Sequence, residues 1–299
     1  MKVFVTGASG FIGSAIVQEL LGAGHQVLGL ARSEKSAQAL TAAGAEVQRG
    51  SIDDLESLTQ GAMASEGVIH TAFNHDFSNF VASAQNDQRV IETLGESMAK
   101  NGGPLLVTSG TLVVKAKPGK PATEEDPALP PDQMPRALSE VAADEAASSG
   151  VRAFVLRPAH IHDVSGHGGA LAWLIELARE KGFSAYATNG EQRWPACARP
   201  DAARLYRLAI EKGVARQRYH AVGEEGVRMC DIAEAIGRLQ GVPVRSLSLE
   251  EASSHFGPTV SFVTGDGPAS SALTRDWLGW TPTGNGMIAD LNHGTYFEG

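Results

Sequence analysis

The chain has 299 residues, 42% of them hydrophobic and 20% charged, an ordinary globular composition with length for one large or two small folding units. Its net charge of -9 speaks against a sequence-independent DNA or RNA binder, which needs a basic face. Cys197 and Cys230 make no disulfide framework and are expected as small thiols in a reducing compartment; no stretch approaches the length of a membrane span. The opening MKVFVTGASG has one lysine and a short apolar run that ends at a glycine turn, too little for a secretion signal. A cytoplasmic location is therefore expected, with a small-molecule substrate and neither nucleic acid nor membrane as partner.

Six apolar runs of strand length follow one another: KVFV (2–5), QVLGLA (26–31), AEVQ (45–48), GVIHTA (67–72), PLLVTS (104–109) and RAFVLRP (152–158). Helical patterns over 11–22, 33–43, 53–61, 76–101 and 135–149 separate them. Such alternation predicts an α/β fold, a doubly wound parallel sheet covered by helices on both faces. Residues 115–134 are rich in proline and charge, and their length predicts a mobile functional flap. After Arg157 and Pro158 the rhythm changes. A glycine-rich turn leads into a helix within 166–182, a second helix is expected over 198–213, a strand over 218–223 and a helix over 229–241.

VFVTGASGFIG places Gly7, Gly10 and Gly13 directly after the first strand and at the start of a helix. Gly7 permits the sharp turn, Gly10 lets backbone approach a pyrophosphate, and Gly13 allows close helix–strand packing. With Ser9, Phe11 and Ile12 they form a phosphate cradle at a helix N-terminus. At the end of the second strand, where an acidic residue would bind ribose hydroxyls, Arg32 stands beside Ser33. A guanidinium there suits a 2′-phosphate, so NADP(H) is expected ahead of NAD(H). Ile52 is a candidate for packing on the adenine, with Ser51 and Asp53 near its amino group.

TGASGFIG (6–13), GVIHTA (67–72), LLVTSG (105–110), PRALSEVAADE (135–145), VRAFVLRP (151–158), RPDAARLYRLAIEK (199–212) and LGWTP (278–282) together resemble the short-chain dehydrogenase/reductase superfamily, in its extended, epimerase/dehydratase-like branch. The resemblance implies a Rossmann domain over 1–158, with 199–222 returning to it, and a smaller substrate-binding part over 159–198 and 223–299. It implies that His70, Thr71 and Ala72 flank the dinucleotide and that Ser109 reaches a substrate carbonyl. Pro158 and His160 would line the nicotinamide pocket. By analogy, helices 76–101 and 135–149 would form a homodimer bundle.

One part of the pattern is broken. The superfamily's proton-donating tyrosine, with a lysine four residues later, is replaced by Arg136 and Glu140. The tyrosines at 186, 206 and 219 are followed four residues later by Gly190, Ile210 and Gly223, and the chain ends before a fourth partner for Tyr296. Arginine stays protonated and is a poor proton donor, yet it can stabilise a developing alkoxide. Glu140 can accept from ribose hydroxyls, or the two can simply pair across one helical turn. His160, His162 and His167, just past the sixth strand, are the alternative acids; no carboxylate or cysteine completes a metal set, so no metal is expected. Tyr186, Arg193 and Trp194 are expected to wall the substrate pocket. The reading is an NADP(H)-dependent oxidoreductase acting on a small carbonyl, imine or activated alkene. The alternatives are a non-catalytic NADP(H) sensor or interaction protein, and an epimerase or dehydratase.

Overall fold

The computed structural model describes residues 1–117, 119–164 and 168–293. Its strands, in chain order, are β1 (Lys2–Thr6), β2 (Gln26–Ala31), β3 (Glu46–Arg49), β4 (Gly67–His70), β5 (Pro104–Thr108), β6 (Arg152–Pro158), β7 (His160–His162), β8 (Ser184–Ala187), β9 (Arg193–Ala198), β10 (Arg218–Ala221), β11 (Glu224–Arg228) and β12 (Val244–Leu247). The helices are α1 (Phe11–Gly22), α2 (Glu34–Ala42), α3 (Leu55–Met63), α4 (Phe80–Asn101), α5 (Leu138–Ser148), α6 (Gly169–Lys181), α7 (Arg199–Lys212), α8 (Met229–Gln240), α9 (Leu249–Phe256), α10 (Val260–Thr264), α11 (Ala272–Leu278) and α12 (Met287–His293).

Seven strands pair in parallel in the order β10-β6-β5-β4-β1-β2-β3. Strands buried on both faces read as continuous apolar runs, which is why β1, β2, β4, β5 and β6 are visible as sequence, whereas β3 lies at the edge with no buried residue. Ile16 and Leu20 of α1, Leu40 of α2, and Leu205 and Ile210 of α7 fill one face; Leu58 of α3, Val90 and Leu94 of α4, and Ala142 of α5 fill the other. Strand order reverses between β1 and β4. In such sheets ligands bind beyond the carboxyl ends of the strands at that reversal.

A second core gathers α6, α8, α9 and α12 around β8 and β9, with Trp194, Ile232 and Phe256 at its centre. Its strands form two small sheets, β11-β9-β7 and β12-β8. Among the described residues no helix is long and apolar enough to cross a membrane.

Three sequence expectations change. The flap expected over 115–134 is pinned between residues 122 and 129 rather than left mobile. Leu129 N donates to Val113 O at 2.8 Å, Ala122 exchanges backbone bonds with Pro268 and Ser270, and the buried Glu124 accepts from Thr274 N and Oγ1 at 2.7 and 2.6 Å. Composition cannot report such partners, because Thr274 comes from 150 residues away. The 76–101 helix starts at Phe80, after a 3-10 turn over Phe77–Asn79. Arg136 lies in a second 3-10 turn, Pro135–Ala137, ahead of α5.

Candidate active site at the strand-order reversal

The glycine turn closes directly after β1. Gly7 has φ +67°, and a Cβ there would meet Thr71 Oγ1 at 2.7 Å and Ala72 N at 2.9 Å. A Cβ on Gly13 would lie 2.0 Å from Gly7 O, so α1 can approach the turn only without a side chain. Gly10 differs. Its φ of −77° suits any residue, and a Cβ would touch only Gly7 O, at 3.1 Å. The chain itself makes little demand for glycine at this exposed position; a ligand lying against the backbone does. No side chain caps α1 and no acidic residue sits in its first turn, so its leading N–H groups and dipole remain available to an anion. These features fit a dinucleotide pyrophosphate. Arg199, at the start of α7, braces the turn by donating from Nε to Phe11 O at 2.6 Å and from Nη2 to Ser14 Oγ at 2.7 Å. Ser9 is exposed, and Phe11 and Ile12 are partly buried beside the cradle.

At the end of β2, Arg32 is exposed and has no ion-pair or hydrogen-bond partner among the described residues. Ser33 caps α2 by accepting from Ser36 N. Sequence reasoning missed a second cation here: Arg49, at the end of β3, donates to Ser33 O at 3.3 Å and to Glu34 Oε2 at 2.6 Å. Ser51, Ile52 and Asp53 follow β3 on the same sheet edge. Ile52 packs on the core, and Asp53 accepts from Asn86 Nδ2 at 3.1 Å.

Between cradle and substrate side runs a buried polar chain. Thr6 Oγ1 accepts from Thr71 N and Ala72 N, both at 3.2 Å, so its own hydrogen goes to His70 Nδ1 at 2.8 Å. His70 Nε2–H then faces Asp87 Oδ1 at 3.0 Å. His70 is therefore a fully buried core residue with both ring nitrogens engaged, and its side chain does not reach the cleft. Asp87, also missed by sequence reasoning, accepts on Oδ2 from Arg136 Nη1 at 2.5 Å and from Ser139 Oγ at 2.7 Å. Burial alone would push the Asp87 carboxyl up, but Arg136, His70 and Ser139 together hold it well below the usual carboxylate range.

Arg136 spans to the next strand, donating from Nη2 to Thr108 O at 2.7 Å, and Phe73 covers its guanidinium at 4.0 Å. Its position is thus fixed by α4, β5 and the segment after β4. Ser109, one residue past β5, has a buried hydroxyl with no hydrogen-bond partner among the described residues. That oxygen lies close enough to Glu140 to favour the carboxylate, but outside hydrogen-bond geometry. Arg136 thus reaches the backbone of the residue before Ser109, while the Ser109 hydroxyl lies on the Glu140 side.

The Arg136–Glu140 pair across one helical turn does not form. Glu140 faces the other way and binds Arg157 through both oxygens, each at 2.7 Å, with Arg218 at 3.3 Å. Burial opposes its charge, and the two arginines still hold its carboxyl below the ordinary value. Both its oxygens are committed to protein, so the geometry gives no support to a ribose contact. His160 donates to Pro195 O from Nδ1, at 3.1 Å, and stacks on Trp194 with centroids 4.0 Å apart. Burial pushes its pKa down to about 4, although the residue is partly exposed. A neutral imidazole with Nδ1–H committed offers Nε2 as an acceptor, so His160 is not the acid expected from sequence. Pro158 O lies 3.5 Å from Thr111 Oγ1, so the ends of β5 and β6 meet beside the same cleft.

Of the remaining expected residues, Trp194 is buried and donates to Phe262 O. Arg193 is held at the rim by Asp266 through Nε and Nη2 at 2.9 and 2.7 Å. Tyr186 packs beside Gly190 and Cys230 in the second core rather than against Ser109. His162 is buried against Asp290 at 2.7 Å. His167 and Tyr296 lie outside the described residues.

Residues 3–222 match the model of the NAD dependent epimerase/dehydratase family. The chain is 47% identical over 298 residues to the uncharacterized protein C2A9.02 of Schizosaccharomyces pombe, covering 99% of this chain and 100% of the relative. It is 42% identical to the uncharacterized protein YLL056C of Saccharomyces cerevisiae, covering 97% and 98%. Among solved structures it resembles a double mutant of DesIV, a dTDP-glucose 4,6-dehydratase from Streptomyces venezuelae with NAD bound, at a TM-score of 0.81 and 18% identity over 100% of this chain and 97% of that one. At that identity the likeness concerns the fold.

Proposed function

The chain belongs to the NAD-dependent epimerase/dehydratase family, and from that premise we propose that it is an NADP(H)-dependent oxidoreductase acting on a small carbonyl, imine or activated alkene. In this reading residues 1–158 with 199–222 hold the dinucleotide, and 159–198 with 223–299 enclose the substrate. The observation that carries it is a clamped guanidinium, Arg136 bonded to the backbone of Thr108, together with the buried, unpartnered hydroxyl of Ser109 one residue on, at the carboxyl end of β5. A bound nicotinamide dinucleotide supplies hydride transfer. Ser109 Oγ donates to the substrate oxygen and orients it. Arg136 holds a fixed positive charge where that oxygen gains negative charge, and Phe73 keeps water off one face of the guanidinium. Arg32 and Arg49 recognise the 2′-phosphate, which favours NADP(H) even though DesIV binds NAD.

A second reading, a dinucleotide sensor, is favoured by the number of Arg136 donors already committed to Asp87, Ser139 and Thr108. Purified protein, assayed for NADPH consumption against aldehydes, ketones, imines and enones, separates the two. Turnover on any class, with kcat reduced at least about tenfold in Arg136→Ala and NADPH still bound, supports the enzyme. Tight NADPH binding without turnover supports the sensor.

A further inference from the structure

The back of the glycine cradle is held as closely as its front is left open. α1 begins at Phe11 behind an N-cap, Gly10, that has no side-chain cap, so the N–H groups of Phe11 and Ile12 have no intrahelical acceptor and are available to an anion. The carbonyls of the same two peptide units belong to Gly10 and Phe11. Both are engaged by one cation, directly or through a hydroxyl. Arg199 Nε donates to Phe11 O at 2.6 Å, its Nη2 donates to Ser14 Oγ at 2.7 Å, and Ser14 Oγ donates onward to Gly10 O at 2.7 Å. The guanidinium also lies 4.9 Å from the centroid of the Phe11 ring. A cation bonded at the carbonyl end of a peptide strengthens the N–H donor at its other end, because hydrogen bonds in a chain polarise one another.

Arg199 also stands where the chain crosses from one core to the other. β9, a strand of the second core, ends at Ala198, and α7, which packs on the seven-stranded sheet, starts at Arg199. β7 runs parallel to β9 with His162 opposite Ala198, so the next residues on the two strands meet: Arg199 Nη1 donates to Asp163 Oδ2 at 2.8 Å. The two side chains are only 21% and 12% exposed, which shields the pair from water. A second contact joins the same parts. The start of α6 lies against the Phe11 ring: a Cβ on Gly168 would come within 2.7 Å of Phe11 Cγ, and one on Gly169 within 3.5 Å of Phe11 Cε1.

We propose that Arg199 is a positioning residue that couples dinucleotide binding at the cradle to the second core. From behind the cradle it fixes and polarises the two peptides whose N–H groups donate to the pyrophosphate. Through Asp163, its own placement depends on β7. The proposal rests on the cradle holding a dinucleotide and is independent of the reaction that follows. Linkage makes such coupling reciprocal. A dinucleotide that tightens the Arg199 contacts also steadies β7 and α6, and a ligand that steadies the second core raises dinucleotide affinity by the same factor.

The test titrates the full chain with NADPH and NADH, in the wild type, Arg199→Lys, Arg199→Ala, Asp163→Asn, and Arg199→Ala combined with Asp163→Asn, with thermal unfolding run alongside. Arg199→Ala weakens both dinucleotides by the same factor, about tenfold, and Asp163→Asn weakens them about threefold. Added ethylguanidinium restores part of the affinity of Arg199→Ala, and Arg199→Lys, which keeps the charge but not the fork, falls between it and wild type. Combining Asp163→Asn with Arg199→Ala costs nothing further, because the carboxylate acts through the arginine. In amide NMR of the unliganded chain, the Phe11 and Ile12 signals of both Arg199 variants move upfield while Gly22, at the far end of α1, keeps its own; a merely structural role does not produce that pattern. NADPH slows hydrogen exchange in α6 of the wild type and not of Asp163→Asn. Unchanged dinucleotide affinity and unmoved Phe11 and Ile12 signals in the Arg199 variants overturn the proposal and leave the cradle reading intact. Full additivity of the two losses, or α6 slowed equally in Asp163→Asn, also overturns it. A wild type that binds neither NADPH nor NADH overturns the cradle reading and the proposal with it.

Discussion

The glycine cradle and the substrate side of the same cleft are built in opposite ways. The cradle is backbone: Gly7, Gly10 and Gly13 lie within one turn, and what matters is the side chain each lacks. The substrate side is side chain: Phe73, Asp87, Ser109 and Arg136 arrive from four separate segments, and one buried ion pair locks Asp87 to Arg136. A backbone site leaves its mark in contiguous sequence. A side-chain site leaves its mark only when the partners are known.

The ion pair is where that contrast can be broken most forcefully. Asp87→Ala removes the acceptor of Arg136, Ser139 and His70 at once. Breaking one partner of a buried pair costs about 3–5 kcal/mol, because the other charge stays buried without compensation. Denaturant unfolding should report a loss of that size, larger than any substitution in the cradle. The pH sign follows from linkage. The Asp87 carboxyl is held below its unfolded value, so its contribution is complete above about pH 3.9 and is lost as pH falls through the lower folded value. Wild-type stability should therefore drop in acid more steeply than that of Asp87→Ala. Parallel acid curves for the two proteins would mean that the pair is not the lock.

Much of the sheet was legible because buried parallel strands are apolar runs, and the cradle because its glycines sit in a fixed strand–turn–helix frame. The second core was less so. β11 reads EEGVR, exposed and interrupted by a bulge, and β12 is mostly exposed, so neither has an apolar run or a clean alternation to read. Arg136 was noticed for the wrong partner: spacing pointed to Glu140, while the 3-10 turn before α5 aims it at α4. Asp87 carried a signal that was available. It lies on the buried stripe of α4, in step with Ala84, Val90, Ile91 and Leu94, and a carboxylate on such a stripe requires a cation.

Within the cradle, two glycines sharpen the comparison because they fail differently. In Gly13→Ala the new Cβ meets Gly7 O at 2.0 Å, so backbone must move, at a cost of about 1–3 kcal/mol of stability. In Gly10→Ala nothing in the chain is displaced beyond a 3.1 Å contact with Gly7 O. Thermal unfolding should leave Gly10→Ala within about 0.5 kcal/mol of wild type, the usual range for a surface substitution away from special features. NADPH titration should then show that variant weakened severalfold. Unchanged NADPH affinity in Gly10→Ala would show that the pyrophosphate does not lie against this turn.

The smallest effect concerns the choice between dinucleotides. Arg32 has no partner among the described residues to lose, so Arg32→Ala should leave stability alone and act through the 2′-phosphate. About tenfold weaker NADPH binding corresponds to roughly 1.4 kcal/mol, a reasonable figure for one exposed cation on a phosphate. NADH binding should change by less than about twofold, and raised salt should shrink the difference in NADPH binding between wild type and Arg32→Ala. Arg49 is the comparison within the comparison. Glu34 already holds it at 2.6 Å, so Arg49→Ala should cost less NADPH affinity than Arg32→Ala, and Glu34→Ala should increase that affinity by releasing it. Equal losses of NADPH and NADH in Arg32→Ala would remove the 2′-phosphate from the account and leave the cradle as a site for either dinucleotide.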